Sequence, residues 1–304
     1  MKQRLSTFLF LIVFFFVPSL FSQETKKEVT SKVQFAGYVL QYSPEYQYKD
    51  IKIAFKELLR LYASRFGIKM DVIFYDSEKE AVEDFCKGKI ISISGPGIVF
   101  ANNYKKLFPE SSILYLASKS SNIYVTHLLL KRKGVTGSLQ NSTVSIPQSR
   151  YNARLYLYRH LAEHGSLSKN TSMKIVETKN SRIAIFHLFF GKSDFAVVPK
   201  ESWDIAIEMN PQLKSKIELV EHSPNIMVYA AGCYSKRLNP EMIETVLEAN
   251  RKIAASTVGR KMLELLHIDK YVEISSEALF PYIKYVEEAK KSILGSGPGK
   301  EAQK

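Results

Sequence analysis

The sequence predicts an α/β protein of two similar lobes, each a mostly parallel sheet flanked by helices. Three observations predict it. Apolar runs of strand length alternate with stripes at helical spacing from residue 33 to residue 101, in the order β-α-β-α-β-α. A second β-α-β-α run lies between residues 144 and 209. The chain has 304 residues, 45% hydrophobic and 24% charged, which suits a globular protein of one large or two medium domains. Strands of this kind, joined by crossover helices, bind ligands off their carboxyl ends. The loops over residues 38–46 and 94–97 are therefore the ones to watch.

Taken in order, Lys2 and Arg4 precede an apolar run over residues 8–17, closed by Pro18 and followed by Ser19 and Ser22. A positive start, a short apolar middle and a small-residue exit predict a secretory signal peptide over residues 1–22, hence a periplasmic or extracytoplasmic protein. The run is short of the ~20 residues of a membrane span, and an uncleaved anchor is the alternative reading. Residues 24–31 form a polar leader. A strand is predicted over residues 33–40, then a polar, aromatic loop. Ile51, Phe55, Leu58, Leu59, Tyr62 and Phe66 make a helical stripe closed by Gly67. A strand over residues 70–75 follows. Ser77 with Glu80 three residues on forms a capping box, and Gly88 ends that helix. A third strand, residues 90–94, runs into Gly95-Pro96-Gly97, which opens a helix through Ala101.

Strands are predicted at residues 113–117 and 124–130, with a polar turn between them and a basic loop over residues 131–137 after them. Val144-Ser145-Ile146-Pro147 then leads into a helix whose Ala153, Leu157 and Leu161 share one face. Ser149 stands at the N-cap position, and Arg150 and Arg154 occupy the first turn, where acids ordinarily complement the dipole. Two readings stay open there. One is an ordinary capped helix with two solvated arginines; the other is an anion cradle of backbone N–H groups, a hydroxyl and a guanidinium. Further strands are predicted at 173–176, 195–198, 217–220 and 226–231. Helices are predicted from Ser181 to Gly191, over 200–209, from Pro240, and around 259–267 and 276–293. The Gly/Pro/Lys-rich residues 295–304 read as a flexible tail.

The net charge of +13 is spread along the chain without a basic run, which argues against nucleic acid and for anionic ligands or surfaces. Cys86 and Cys233 both lie in apolar patterns, as two buried thiols or as one disulfide. There is no CxxC or HExxH, and the six histidines read as scattered, so neither a metal nor a cofactor is expected. No nucleophile–base pair or spaced carboxylate pair stands out, so no catalytic residue is predicted and the chain reads as a non-enzyme.

Several motifs fall in one order. They are Phe35-Ala36-Gly37-Tyr38-Val39 with Gln41-Tyr42-Ser43-Pro44-Glu45, then Phe66-Gly67-Ile68-Lys69-Met70-Asp71-Val72, and Gly88-Lys89 up to Ser94-Gly95-Pro96. Ser223-Pro224 and the run from Gly259 to Ile268 complete the set. Together they resemble the phosphate/phosphonate substrate-binding proteins of ABC importers. The resemblance implies the two-lobed type II periplasmic-binding-protein fold, with two crossing strands between lobes. Lobe 1 would then be discontinuous, residues 31–121 plus 225–293, and lobe 2 would span residues 122–224. A ligand would be clamped by hinge closure.

The family's anion site is a Ser-Thr-Ser-Gly run at a lobe-2 helix start. The matching positions here are Ser149-Arg150-Tyr151-Asn152, which keep only the first serine. A family histidine aligns with Ser181 and the acid after it with Arg182, while the acid beyond the Gly-x-x-Asp turn has no match. These departures argue against an aminoalkyl phosphonate. Arg150 and Arg182 instead add cations suited to phosphate, phosphonate, sulfonate or carboxylate. The implied ligand-binding set is Tyr38, Gln41, Tyr42, Ser94 and Gly95 from lobe 1, with Tyr124, Ser149, Arg150, Tyr151, Ser181 and Arg182 from lobe 2. Tyr38 and Tyr124 read equally as core, and Arg182 as the partner of a nearby acid. The implied function is a monomeric receptor that captures a small anion and hands it to an ABC-transporter permease. A sensor presenting its ligand to a membrane signalling protein is the alternative, ahead of an enzyme.

Overall fold

The protein is described by a computed structural model that covers residues 32–39, 48–119, 121–148, 151–164 and 172–295. The expected signal peptide, Gln41, Tyr42, Ser149, Arg150 and tail residues 296–304 lie outside the described residues. The first part of the chain comprises β1 (Gln34–Val39), α1 (Tyr48–Ser64), β2 (Met70–Tyr75), α2 (Glu78–Cys86), β3 (Ser92–Pro96), α3 (Gly97–Leu107) and β4 (Ser111–Ser118). Next come β5 (His127–Arg132), β6 (Thr143–Pro147), α4 (Tyr151–Glu163), β7 (Lys174–Thr178), α5 (Ser181–Phe189), β8 (Phe195–Pro199), α6 (Lys200–Met209), α7 (Leu213–Lys216) and β9 (Ile217–His222). The last part holds β10 (Ala230–Ser235), α8 (Pro240–Lys252), α9 (Thr257–Leu266), β11 (Lys270–Ile274) and α10 (Phe280–Gly295). Many predicted stops and starts are made by the residues expected. The Ser77 hydroxyl accepts the Glu80 N–H at 3.4 Å, Gly88 turns the chain at φ 75, and Pro240 takes the first position of α8, where Asn239 adds a side-chain cap.

Two sheets form, in the orders β11-β4-β10-β3-β1-β2 and β7-β6-β8-β5-β9. The trios β2-β1-β3 and β7-β6-β8 are parallel, as alternating strands and helices demand. Both sheets are nevertheless mixed, where the sequence order predicted mostly parallel pairing. β10 and β5 arrive from the other sheet with no crossover helix of their own and insert antiparallel beside β3 and β8.

The two strands so placed also start later than expected. Residues predicted as the beginnings of strands 124–130 and 226–231 pair with each other instead. Tyr124 bridges Val228, and the Val125 N–H donates to the Met227 carbonyl at 2.7 Å. These paired segments carry the chain from one sheet to the other and back. Lys131 and Arg132, expected in a loop, extend β5. β11 was not expected; it is a five-residue edge strand antiparallel to β4.

One apolar cluster runs through both sheets, from Ile93 and Phe100 to Leu129, Val144 and Leu161. A second packs α1, α8 and α9 on the first sheet through Phe55, Tyr62, Val246 and Met262. A third packs α5 on the second sheet through Ile185, Leu188 and Val198. Each fully buried Leu, Ile or Phe side chain contributes about 1.5–3 kcal/mol. α10 ties the ends together: the Tyr282 hydroxyl donates to Asn152 of α4 at 2.6 Å, and Arg159 of α4 donates to Glu288 at 2.6 Å. Cys86 and Cys233 are two free thiols, and burial pushes the Cys233 thiol up to about 12.

Candidate functional site

The carboxyl ends of β1, β2 and β3 open on a cavity of about 350 Å³ between the two sheets. Tyr38, Phe74 and Ser94 through Ile98 line it from one side, and Val125, His127, Tyr151 and Asn152 from the other. This is the place a parallel trio prescribes, since loops leaving adjacent strands part there and leave a crevice. The size is within the range of small-molecule sites.

Its first-sheet wall is aromatic. Tyr38, Phe55 and Phe74 meet at tilted and edge-on angles, with ring centroids 5.9–6.2 Å apart. Tyr115 comes from β4, two strands from Ser94, yet its hydroxyl lies 2.6 Å from the Ser94 hydroxyl. The strand between them is β10, where Gly232 pairs with both Ser94 and Tyr115. A Cβ at Gly232 would stand 2.1 Å from the Tyr115 ring, so the ring crosses β10 only because that residue is glycine. Tyr271 of β11 closes edge-on against the same ring at 5.1 Å. Burial first, then the neighbouring Tyr234 and Tyr271, hold the Tyr115 phenol well above its ordinary pKa. Burial likewise raises Tyr151. Both stay neutral hydroxyls near pH 7, able to donate to a ligand oxygen.

The charge lining the cavity has one sign. Lys52, Lys119, His127 and His267 are its ionisable side chains other than tyrosines, and no carboxylate lines it among the described residues. Lys52 lies 5.7 Å over the Phe74 ring, while Lys119 pairs with Glu201 at 2.9 Å. Two helix N-termini also meet the cavity, α3 at Gly97 and Ile98 and α4 at Tyr151 and Asn152. Pro96 caps α3 with no side-chain hydrogen bond and no acid lies in its first turn, while the Gly97 N–H donates to the Tyr229 carbonyl at 3.3 Å. Asn152 is held at both ends of its amide: it donates to the Val228 carbonyl at 3.1 Å and accepts from Tyr282. It therefore pins α4 to the second crossing.

Of the residues expected at the site, Tyr38, Ser94, Gly95 and Tyr151 line the cavity. Gln41, Tyr42, Ser149 and Arg150 lie outside the described residues, next in sequence to the lining pairs Tyr38–Val39 and Tyr151–Asn152. The structure does not bring Tyr124, Ser181 or Arg182 to the wall. Tyr124 is half-buried in the paired crossing; Ser181 is buried and Arg182 exposed at the start of α5. That helix follows β7, the edge strand of its sheet. Sequence reasoning missed Lys52, Phe55, Phe74, Tyr115, Lys119 and His127, and also Tyr229, His267 and Tyr271. Phe74 was within reach of the strand-end rule. The others come from antiparallel strands, crossings and helix faces that no local pattern aims at a cleft.

Two α/β sheets joined by a paired crossing, with a one-signed cavity between them, define a two-lobed solute-binding protein. The family model for the phosphonate periplasmic substrate-binding proteins of ABC transporters matches residues 112–279, more than half of the chain. The chain belongs to that family, whose members bind solutes for transport and are periplasmic. Among solved structures it is similar to a Xanthomonas citri protein with bound chloride, at TM-score 0.64 and 12% identity over 85% of this chain and 99% of that one. It is similar also to PhnD1 of Prochlorococcus marinus in complex with methylphosphonate, at TM-score 0.59 and 13% identity over 86% and 99%. A binding component of a Pseudomonas aeruginosa phosphonate transporter gives TM-score 0.58 and 13% identity over 88% and 91%. At such identities the likeness is one of fold. No curated protein sequence matches the chain.

Proposed function

We propose that the cleft captures a small solute bearing a phosphate, phosphonate, sulfonate or carboxylate group, and that the chain delivers it to an ABC-transporter permease. The observation that carries this reading is the cavity's charge: two lysines, two imidazoles, two helix N-termini and no carboxylate among the described residues. The aromatic wall suits the organic part of such a solute. Ser149 and Arg150, immediately before α4, complete the anion end on this reading. The paired crossings act as the hinge between a lobe built on each sheet. The chain works as a monomer, carries out no reaction, and reaches the periplasm through its N-terminal segment. The methylphosphonate in the Prochlorococcus marinus relative supports the ligand class.

The test is a thermal-shift titration of the purified chain with inorganic phosphate, methylphosphonate, an alkyl sulfonate and a dicarboxylate, beside a neutral sugar and a polyamine. An anion is expected to raise the melting temperature with concentration, by about 2.7 kcal/mol of stability at a hundredfold excess over Kd. Lys52→Ala and Arg150→Ala should each weaken its binding by about tenfold or more, since a hydrogen bond to a charged group contributes ~1.5–3 kcal/mol. Stabilisation by only the sugar or the polyamine, or by nothing, would overturn the reading.

A further inference from the structure

We propose that His160, His164 and Glu221 form a binding site for one divalent transition-metal ion, zinc above others. This site is independent of the cleft. Along the sequence the six histidines read as scattered, and a metal was not expected. The fold gathers two of them beside a carboxylate. His160 and His164 stand four residues apart at the carboxyl end of α4, on one helix face, and Glu221 reaches them from β9, 61 residues further along. The three residues offer ligand atoms that all lie within 4.8 Å of one another.

The local geometry favours metal over a bare ion pair. The two imidazole rings are stacked, 4.2 Å between centroids and 30° between planes, which keeps them side by side next to Glu221. His164 Nδ1 donates to the His160 carbonyl at 2.8 Å, because a carbonyl can only accept. In the neutral ring this puts the lone pair on Nε2, and such a backbone contact is the usual way a ligating histidine is oriented. His160 Nδ1 and Glu221 Oε2 lie 2.5 Å apart with a proton between them. A metal with bonds of about 2.0–2.1 Å in tetrahedral geometry holds its ligand atoms about 3.3 Å apart. Replacing that proton needs the His160–Glu221 contact to open by about 1 Å and the remaining distances to close by no more than about 1.5 Å. The Glu221 side chain, 45% exposed, can make that adjustment.

Two imidazoles and one carboxylate suit zinc, with copper and nickel as competitors, and disfavour calcium and magnesium, which take oxygen ligands. A water fills the fourth position. Arg159, the nearest cation in sequence, does not oppose the charge, because Glu163 and Glu288 hold its guanidinium. The ion would staple the end of α4 to β9, two residues before Ser223. There the Ser223 N–H donates to the His127 carbonyl at 2.7 Å, and the Ser223 hydroxyl accepts the His127 N–H at 2.9 Å. His160 lies about 12 Å along α4 from Asn152, so a solute in the cleft would not touch the metal.

The experiment is calorimetric titration of the chelator-stripped, tag-free chain with zinc chloride in a non-coordinating buffer, with melting temperatures measured in parallel. One equivalent is expected to bind with an affinity of the order of micromolar or tighter, raising the melting temperature. His164→Ala and Glu221→Gln, both at exposed positions, should keep the metal-free melting temperature and weaken zinc binding at least tenfold. His222→Ala, beside the cluster but outside it, should leave binding unchanged. No heat and no thermal shift with zinc would overturn the proposal, and so would binding that survives His164→Ala unaltered.

Discussion

In the first sheet β2, β1 and β3 run parallel, β10 enters antiparallel beside β3, and β4 follows it. In the second sheet β7, β6, β8, β5 and β9 repeat that order, and β11 alone lacks a counterpart. Register makes the match residue by residue. The middle residue of β3, Ser94, faces Gly232, which faces Tyr115; the middle residue of β8, Val197, faces Leu129, which faces Glu221. At the glycine an aromatic ring crosses the strand and its hydroxyl reaches the cleft. At the leucine the side chain fills the same space with core, 1% exposed. One backbone plan thus yields a recognition wall in one sheet and a scaffold for a helix end in the other. A single missing Cβ is much of the difference.

The largest effect should come from the scaffold side. Leu129→Ala leaves a cavity in a shared apolar cluster and should cost about 2–5 kcal/mol in urea unfolding, with solute affinity unchanged in the folded fraction. A matching loss of affinity would break the contrast between scaffold and wall. Gly232→Ala should cost less stability, about 1–3 kcal/mol from overpacking, because the Tyr115 ring has to move. Its distinguishing result is weaker solute binding by the folded protein. Intact binding there would show that the ring is core and takes no part in recognition.

The smallest effect sharpens the comparison at the sheet edges. At the end of β2 the Tyr75 hydroxyl donates to Asp84 at 3.0 Å, and Lys89 pairs with the same carboxylate at 2.7 Å. At the last residue of β7 the contact is neutral, Thr178 donating its hydroxyl to the Asn180 carbonyl at 3.0 Å, and the ion pair beside it, Glu177 with Arg154, reaches across to α4. The Lys89 hydrogen bond, against a smaller opposing effect of burial and with help from Tyr75, holds the Asp84 carboxyl below its ordinary 3.8. A carboxyl lowered on folding stabilises above that value, and the contribution is lost as pH falls through the folded value. Hydrogen exchange below pH ~4 should therefore loosen the β2 amides before those of β7, and Asp84→Asn should shrink the difference at the Tyr75 end, leaving the share of Asp71, which pairs with Lys56 and Arg60 at the other end of β2. At neutral pH the substitution should cost about 1 kcal/mol, since Lys89 is exposed and Asp84 only partly buried.

Much of the fold was visible in local pattern. Strand-length apolar runs, Gly67, Gly88 and Gly191 at helix ends, and the Ser77 and Asn239 caps mark elements because each acts within a few residues of itself. The start of α4, where the sequence left a capped helix and an anion cradle both open, places Tyr151 and Asn152 on the cleft. The strand starts at 124 and 226 were misplaced because their pairing partners are a hundred residues away in sequence and only each other. β11 escaped because an edge strand needs little apolar alternation. Arg182 looked like a cleft residue through alignment with a helix start, and in the structure it is exposed at the start of α5, off the cavity wall.

By itself, the sequence determined the alternation of strands and helices, the two-lobed plan and the strand ends at which a ligand would lie. These follow from side-chain period and chain connection, both local properties. Only the tertiary structure decided which side chains meet there. Tyr115 reaches Ser94 across a glycine, Lys52 comes from a helix and His267 from the turn that ends another, and His160 finds Glu221 across 61 residues. Each of those meetings depends on strand order and register, which are set by packing over the whole molecule rather than by any neighbour in the chain.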